Sequence, residues 1–311
     1  MTSLEEIRHE YRSGALGKHE YIQKMYQQCH AHLFDYAKYL SQTDIELIEI
    51  REGNVIMTFR KYGIRMLCPE GDYRVAPIES INFLCYEEKD AKMILKLIPE
   101  RGVVFDIGAN MGWYALVIAR QVKDCQIHAF EPIPKTLSFL QNNIQLNHLS
   151  NVAAHPFGLS DERKDLTFYF YPEGSGNASS ANLSERADAE LFTCHVERLD
   201  DFVTAHALHV DFIKCDIEGA ELFAFQGGVG TLQRDQPIVF TEMLRKWAAK
   251  FSYHPNKIIA LFSSLGYRCF YTDGSTLKAL NEMTDETVET NFFFLHSEKH
   301  KDIIHLLGTS A

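Results

Sequence analysis

At 311 residues, with 46% hydrophobic and 23% charged side chains, the chain is long enough for one large α/β domain, or for one domain and an extension. A formal charge of −11 without Lys/Arg clusters argues against a nucleic-acid partner, and no apolar run nears the 18 residues of a membrane span. Seven scattered cysteines without a C-x-x-C, behind a start that lacks a basic-then-apolar leader, set the expectation of reduced thiols in the cytosol.

In chain order, Gly14 and Gly17 separate a short first helix from a second over about residues 18–40. There Ile22, Met25, Tyr26, Cys29, Leu33, Tyr36 and Leu40 recur at three- and four-residue spacing. That stripe reads either as packing against the main domain or, more sharply, as the contact of a homodimer. Residues 45–67 read as a β-meander with a turn at Glu52-Gly53-Asn54, and 86–98 return to helical period until Pro99. The expected division is an N-terminal helical and β-meander extension over 1–85, followed by an α/β domain over 86–311.

From residue 103 strands and helices alternate, the mark of a mostly parallel sheet with helices on both faces. Seven sheet strands are expected near 103–107, 127–130, 153–157, 210–215, 237–242, 268–272 and 291–296, the last hairpin antiparallel. Helices fit 113–121, 134–147, 219–226 and 254–265. Leu166 to Tyr171 and Thr193 to Leu199 read as extra strands around a small, polar loop, 172–184. That loop suits either a lid, with Asn177, Ser179 and Ser180 as donors, or a mobile surface segment.

The first strand runs into Asp106-Ile-Gly108-Ala-Asn110-Met-Gly112, and a second closes on Glu131, nineteen residues past Gly112. This βαβ spacing sets a carboxylate on a ribose diol. The turn is not the G-x-G-x-x-G of a dinucleotide site, and no Walker pattern occurs. A fixed Asp106 carboxylate would repel a pyrophosphate and suit an ammonium group, as at the methionine end of S-adenosylmethionine. Gly108 and Gly112 permit positive φ or close approach, and Asn110 tolerates the left-handed region. A nicotinamide oxidoreductase is the rival that this spacing disfavours, and a non-catalytic cofactor-binding protein is a second.

In open α/β sheets ligands sit beyond the carboxyl ends of the strands. The acids there are Asp216 and Glu218, with Glu221 further on, and Glu242 after the next strand. Methyl transfer needs acceptor oxygen, methyl carbon and sulfur nearly collinear, and a hydroxyl acceptor must lose its proton. Asp216, Glu218 and Glu242 are candidate bases. The same acids suit a Mg²⁺ or Ca²⁺ ion, or the cap of the following helix. Lys214 is expected to pair with a nearby acid. The fourteen histidines show no metal-ligand spacing, so no resident metal is assigned, and G-x-S-x-G is missing.

With these stretches placed, the chain resembles the FkbM family of S-adenosylmethionine-dependent methyltransferases over roughly Tyr86 to His296. The resemblance rests on Tyr86-Glu87-Glu88 through Leu97, Val104 to Tyr114, Ala129-Phe130-Glu131-Pro132, Asn142 to Asn147, Gly158-Leu159-Ser160-Asp161, Arg198 to Phe202 and, most specifically, Ile213 to Glu221. It implies the class I methyltransferase, Rossmann-like fold and O-methylation of a small-molecule, polyketide or sugar/glycan hydroxyl. It also implies that the glycine turn, Glu131 and the stretch containing Gly158 and Leu159 surround the cofactor, with Asp216-x-Glu218 facing the reaction. Cys215 departs from the aliphatic residue usual in the family, a difference expected to matter for packing alone.

Overall fold

Helix α1 (Leu4–Arg12) opens the computed structural model, which describes residues 3–308. Ser3 and Glu6 close a reciprocal capping box at its start. Helix α2 (Lys18–Met25) continues through a π-helical turn (Tyr26–His30) into α3 (Ala31–Tyr39). Here the expected packing stripe fails. Met25 is buried, but Ile22, Leu33 and Tyr36 are 55%, 60% and 46% exposed. Ile22 is exposed ahead of the π turn and α3 buries none of its residues, so the stripe as a whole does not pack against the main domain.

Strands β1 (Ile45–Arg51), β2 (Asn54–Phe59) and β3 (Arg65–Cys68) form an antiparallel meander. Its first hairpin turns on Glu52 and Gly53, both at positive φ (53° and 78°), which matches the twist of the flanking strands. Helix α4 (Ala76–Phe83), with Pro77 in its first turn, was not evident from periodicity. Helix α5 (Glu88–Leu97) follows.

The main sheet contains β4 (Val103–Ile107), β5 (Gln126–Phe130), β6 (Val152–His155), β10 (Phe212–Cys215), β11 (Ile238–Glu242), β12 (Tyr267–Thr272), β13 (Leu277–Leu280) and β14 (Asn291–His296). Their order is β13-β12-β14-β11-β10-β4-β5-β6. All seven expected strands are present, and β13 adds an eighth at the edge as a hairpin with β12. Strand β14 runs antiparallel to both neighbours, while the five from β6 to β11 are parallel. The two extra strands, β8 (Lys164–Phe170) and β9 (Glu190–Arg198), join a short β7 (Gly158–Ser160) in a separate sheet.

Both faces of the main sheet are covered, as alternate side chains require. Val104, Ile127, Phe212 and Phe240 pack toward α5, α6 (Trp113–Gln121) and α7 (Pro134–Leu146). Phe105, Phe130, Ile213 and Val239 pack toward α8 (Leu199–Ala205), α9 (Glu221–Gln226), α10 (Val229–Asp235) and α12 (Asn256–Ser264). The described chain also contains a short α11 (Arg245–Ala248) and a last helix, α13 (Lys301–Leu307). No helix among the described residues is long and apolar enough to cross a membrane. The strand order reverses between β4 and β10, so the crevice beyond their carboxyl ends is where this architecture places a ligand.

Candidate active site

The turn after β4 adopts the conformation its residues allow. Gly108, Asn110 and Gly112 have φ of 73°, 49° and 91°. A Cβ on Gly108 would lie 2.0 Å from the Asp216 carbonyl oxygen, so only glycine lets this turn press on the segment after β10. The Gly108 and Ala109 amides donate to the Phe130 carbonyl, tying the turn to the end of β5.

Asp106 does not face the cavity. It is fully buried, its Oδ2 accepts the Ala115 amide of α6 (3.1 Å), and its Oδ1 lies 3.2 Å from Lys214 Nζ. Lys214 sits opposite Asp106 in the β10–β4 register, so the two side chains share a face. Its ammonium donates to the Gly108 carbonyl (2.7 Å) and stands 3.8 Å from Asp216 Oδ2. Burial would depress the lysine's pKa, but Asp106 and Asp216 overcome it and raise the value. The expected contact between Asp106 and an ammonium is thus made with the chain's own lysine. Asp106 positions the glycine turn from below.

Glu131 lines the cavity, yet both its oxygens already accept backbone amides: Oε2 from Asn110 (3.0 Å) and Oε1 from Ile133 (2.9 Å). Each oxygen keeps a second lone pair for a ligand hydroxyl. Burial lifts its pKa to about 7 against the pull of those two amides. Gly158 and Leu159 lie elsewhere, in a neighbouring cavity of about 260 Å³ walled by Pro132, Ile217 and Phe223. Gly108 borders both cavities.

The main cavity, about 240 Å³, collects Asp216, Glu218 and Glu242. One oxygen from each can be chosen so that all lie within 4.8 Å of one another. Burial raises the pKa of all three; at Asp216 the Lys214 ammonium opposes it, while repulsion from Asp216 adds to it at Glu218 and at Glu242, which reaches about 10. Glu221 instead turns back as a brace. Its Oε1 accepts the Ile217 and Gly219 amides (3.1 and 2.9 Å), and its Oε2 faces the Tyr253 hydroxyl. The following helix has no side-chain cap, so neither Asp216 nor Glu218 takes the expected capping role, and Glu221 braces the turn that precedes the helix. Glu218 itself sits at φ 54°, followed by Gly219 at 97°, where a Cβ would meet the Trp247 backbone at 2.9 Å.

The polar loop lies over this cavity. The Ser175 amide donates to Asp72 Oδ2 (3.1 Å), Ser179 pairs with Tyr169, and the Ser179 hydroxyl donates to the Glu218 carbonyl (2.9 Å). Asn177 lines the main cavity and Ser180 the neighbouring one. Ser179 is therefore committed to the protein.

Several lining residues were given no role from sequence, although some lie in stretches that carry the family resemblance. Tyr86, Trp113 and Tyr114 form an edge-packed aromatic wall, and the Tyr114 hydroxyl donates to Glu87, whose pKa burial lifts to about 7. Helical period recognised this stretch, but Glu87 is an N-cap residue at φ 44° that breaks from it. From the N-terminal segment come Met66, Arg74, Val75 and Glu79, which no motif marks.

The model of the Methyltransferase FkbM domain matches residues 106–269, more than half of the chain. Methyltransferase 1 of Beauveria bassiana is 33% identical over 147 residues, 42% of this chain and 59% of that protein. The hexuronic acid methyltransferase AglP of Haloferax volcanii is 27% identical over 161 residues, 51% of this chain and 63% of that protein. The chain thus spans less than two thirds of the length of these curated relatives. The crystal structure of methyltransferase FkbM from Methylobacillus flagellatus is 18% identical, with a TM-score of 0.40, covering 63% of this chain and 43% of that one. On the match across residues 106–269, the chain belongs to the FkbM methyltransferase domain family.

Proposed function

We propose that the chain is an S-adenosylmethionine-dependent O-methyltransferase whose acceptor is a hydroxyl of a small molecule, polyketide or sugar/glycan. The observation that carries this reading is the meeting of Asp216, Glu218 and Glu242 with the glycine turn in one cavity at the strand-order switch. The cavity suits the cofactor by its charge. Its acids, Glu79, Glu87, Glu131, Asp216, Glu218 and Glu242, outnumber Arg74 and Lys214, and the lysine is already held by two carboxylates and a carbonyl. A bound sulfonium and ammonium would draw Glu87, Glu131 and Glu242, whose pKa values burial raises, back into their charged forms, whereas a pyrophosphate would meet no free cation among the described residues.

In this reading Gly108, Asn110 and Glu131 hold the ribosyl and methionine parts, and the Gly158-Leu159 cavity receives the adenine. When bound, the cofactor supplies an electrophilic methyl group. The chain's own part is to orient the acceptor hydroxyl, exclude water under the 172–184 loop, and accept the hydroxyl proton on one of the three carboxylates. A family relative named for a hexuronic acid supports a sugar acceptor among the three classes. The full protein should transfer tritiated methyl from S-adenosylmethionine to members of a panel of sugars, uronic acids and polyketide alcohols. Mass spectrometry should place the label on oxygen, and Glu218→Gln should slow turnover by about 10²–10⁴ if Glu218 is the base. Label found only on nitrogen or carbon would overturn the O-methyl assignment.

A further inference from the structure

Three carboxyl groups held this close in a partly enclosed cavity repel one another when ionised, so each must either keep a proton or meet a cation. Lys214 does not supply the balance. It stands 3.8 Å from Asp216 Oδ2 but bonds to Gly108 and faces Asp106, and among the described residues neither Glu218 nor Glu242 forms an ion pair. A second observation points the same way: Glu218 Oε2 is sealed from solvent and has no hydrogen-bond partner at all. The segment cannot easily splay toward water. The Asp216 amide donates to Ile107, the Glu218 carbonyl accepts Ser179, and Glu221 pins the two amides between and after them.

We propose that Asp216, Glu218 and Glu242 bind a hard divalent metal ion of the Mg²⁺, Ca²⁺ and Mn²⁺ class. Oxygen-rich donor sets select hard cations. Two ligands of one ion cannot be further apart than twice the metal–oxygen distance, about 4.6–5.2 Å for Ca²⁺ and about 4.0–4.2 Å for Mg²⁺. The three oxygens lie within 4.8 Å of one another, near enough for one ion to draw them into a shared coordination sphere. The remaining coordination positions face the cavity, open to water or to an acceptor oxygen. The proposal rests on the carboxylates and not on methyl transfer, so it stands apart from the donor reading.

The test is electron paramagnetic resonance of Mn²⁺ titrated into the full chain near neutral pH, without S-adenosylmethionine. One ion per chain should bind with a Kd of about 10⁻⁵–10⁻³ M and be displaced by excess Ca²⁺ or Mg²⁺. Glu218→Gln and Glu242→Gln should each weaken it at least about tenfold, while Asp285→Asn, on an exposed loop, should leave it unchanged. No binding by about 5 mM Mn²⁺, or full binding in both Gln variants, overturns the site. Should either variant fail to fold by circular dichroism, Mn²⁺ anomalous scattering from the unaltered protein decides the matter. A peak among the three carboxylates supports the site, and its absence there overturns it. Calorimetry with S-adenosylhomocysteine on the same preparation separates this from the donor reading. Mn²⁺ binding without S-adenosylhomocysteine binding removes the donor and keeps the ion, and the reverse outcome does the opposite.

Discussion

Lys214 joins the three parts of the site that chemistry must keep in register: the glycine turn through the Gly108 carbonyl, the first strand through Asp106, and the acidic cluster through Asp216. Removing it would leave the fully buried Asp106 carboxylate without its cation. Breaking such a pair from one side costs about 3–5 kcal/mol, far more than the pair contributes over an apolar substitute. Lys214→Met should therefore lower the unfolding free energy by about 3 kcal/mol or more in a urea titration, and a loss below about 1 kcal/mol would show that the ammonium is not the counter-charge. Pairing of this lysine was legible in the sequence from its place among apolar neighbours. Its partners were not, because they depend on the parallel register of β10 on β4, which no local pattern encodes. Asp106 illustrates the same limit. Its place at a strand end was readable, but the face it points to is set by which side chains alternate inward.

At the level of elements, α7 connects the N-terminal meander to the glycine turn. Asn143, fully buried, accepts the Leu67 amide of β3 (2.8 Å) and donates to the Met111 carbonyl (2.9 Å). Asn147 accepts the Arg65 amide and donates to the Arg65 carbonyl. The Asn142–Asn147 stretch, noticed only as part of a family resemblance, thus has a physical task. Asn143→Ala strands two buried backbone groups, each worth about 1–3 kcal/mol, so stability should fall by about 2–4 kcal/mol by chemical denaturation. Wild-type stability in that variant would remove Asn143 from this linking role. Strands and helices with strong period were readable to within a few residues. The elements that escaped were short or irregular: α4, α8, α10, α11, α13, the three-residue β7 and the edge strand β13. Their segments are too short for a period to emerge, and tertiary packing decides them. The packing reading of the N-terminal stripe failed for a different reason: residue spacing marks an apolar face without showing what covers it, and α3 buries none of its residues.

Over the whole molecule, a parallel sheet with one reversal of strand order brings the ends of β4, β5, β10 and β11 to a single crevice. Residues 110 positions apart, Gly108 and Glu218, border one cavity because of that reversal alone. The glycine turn, Glu131 and the acids after β10 and β11 were legible as separate pieces, since each sits where a strand runs out. The contribution of residues 66–87 to the cavity wall was not legible, because the meander and α4 reach it by docking on α7 and not by any motif of their own. The proposed function requires that this crevice bind S-adenosylmethionine and not a dinucleotide. Isothermal titration of the full chain with S-adenosylhomocysteine and, separately, with NAD tests it most directly. One S-adenosylhomocysteine per chain with a Kd of about 1–100 μM, and no saturable heat with NAD, is the expected result. Saturable binding of NAD with none of S-adenosylhomocysteine would contradict it.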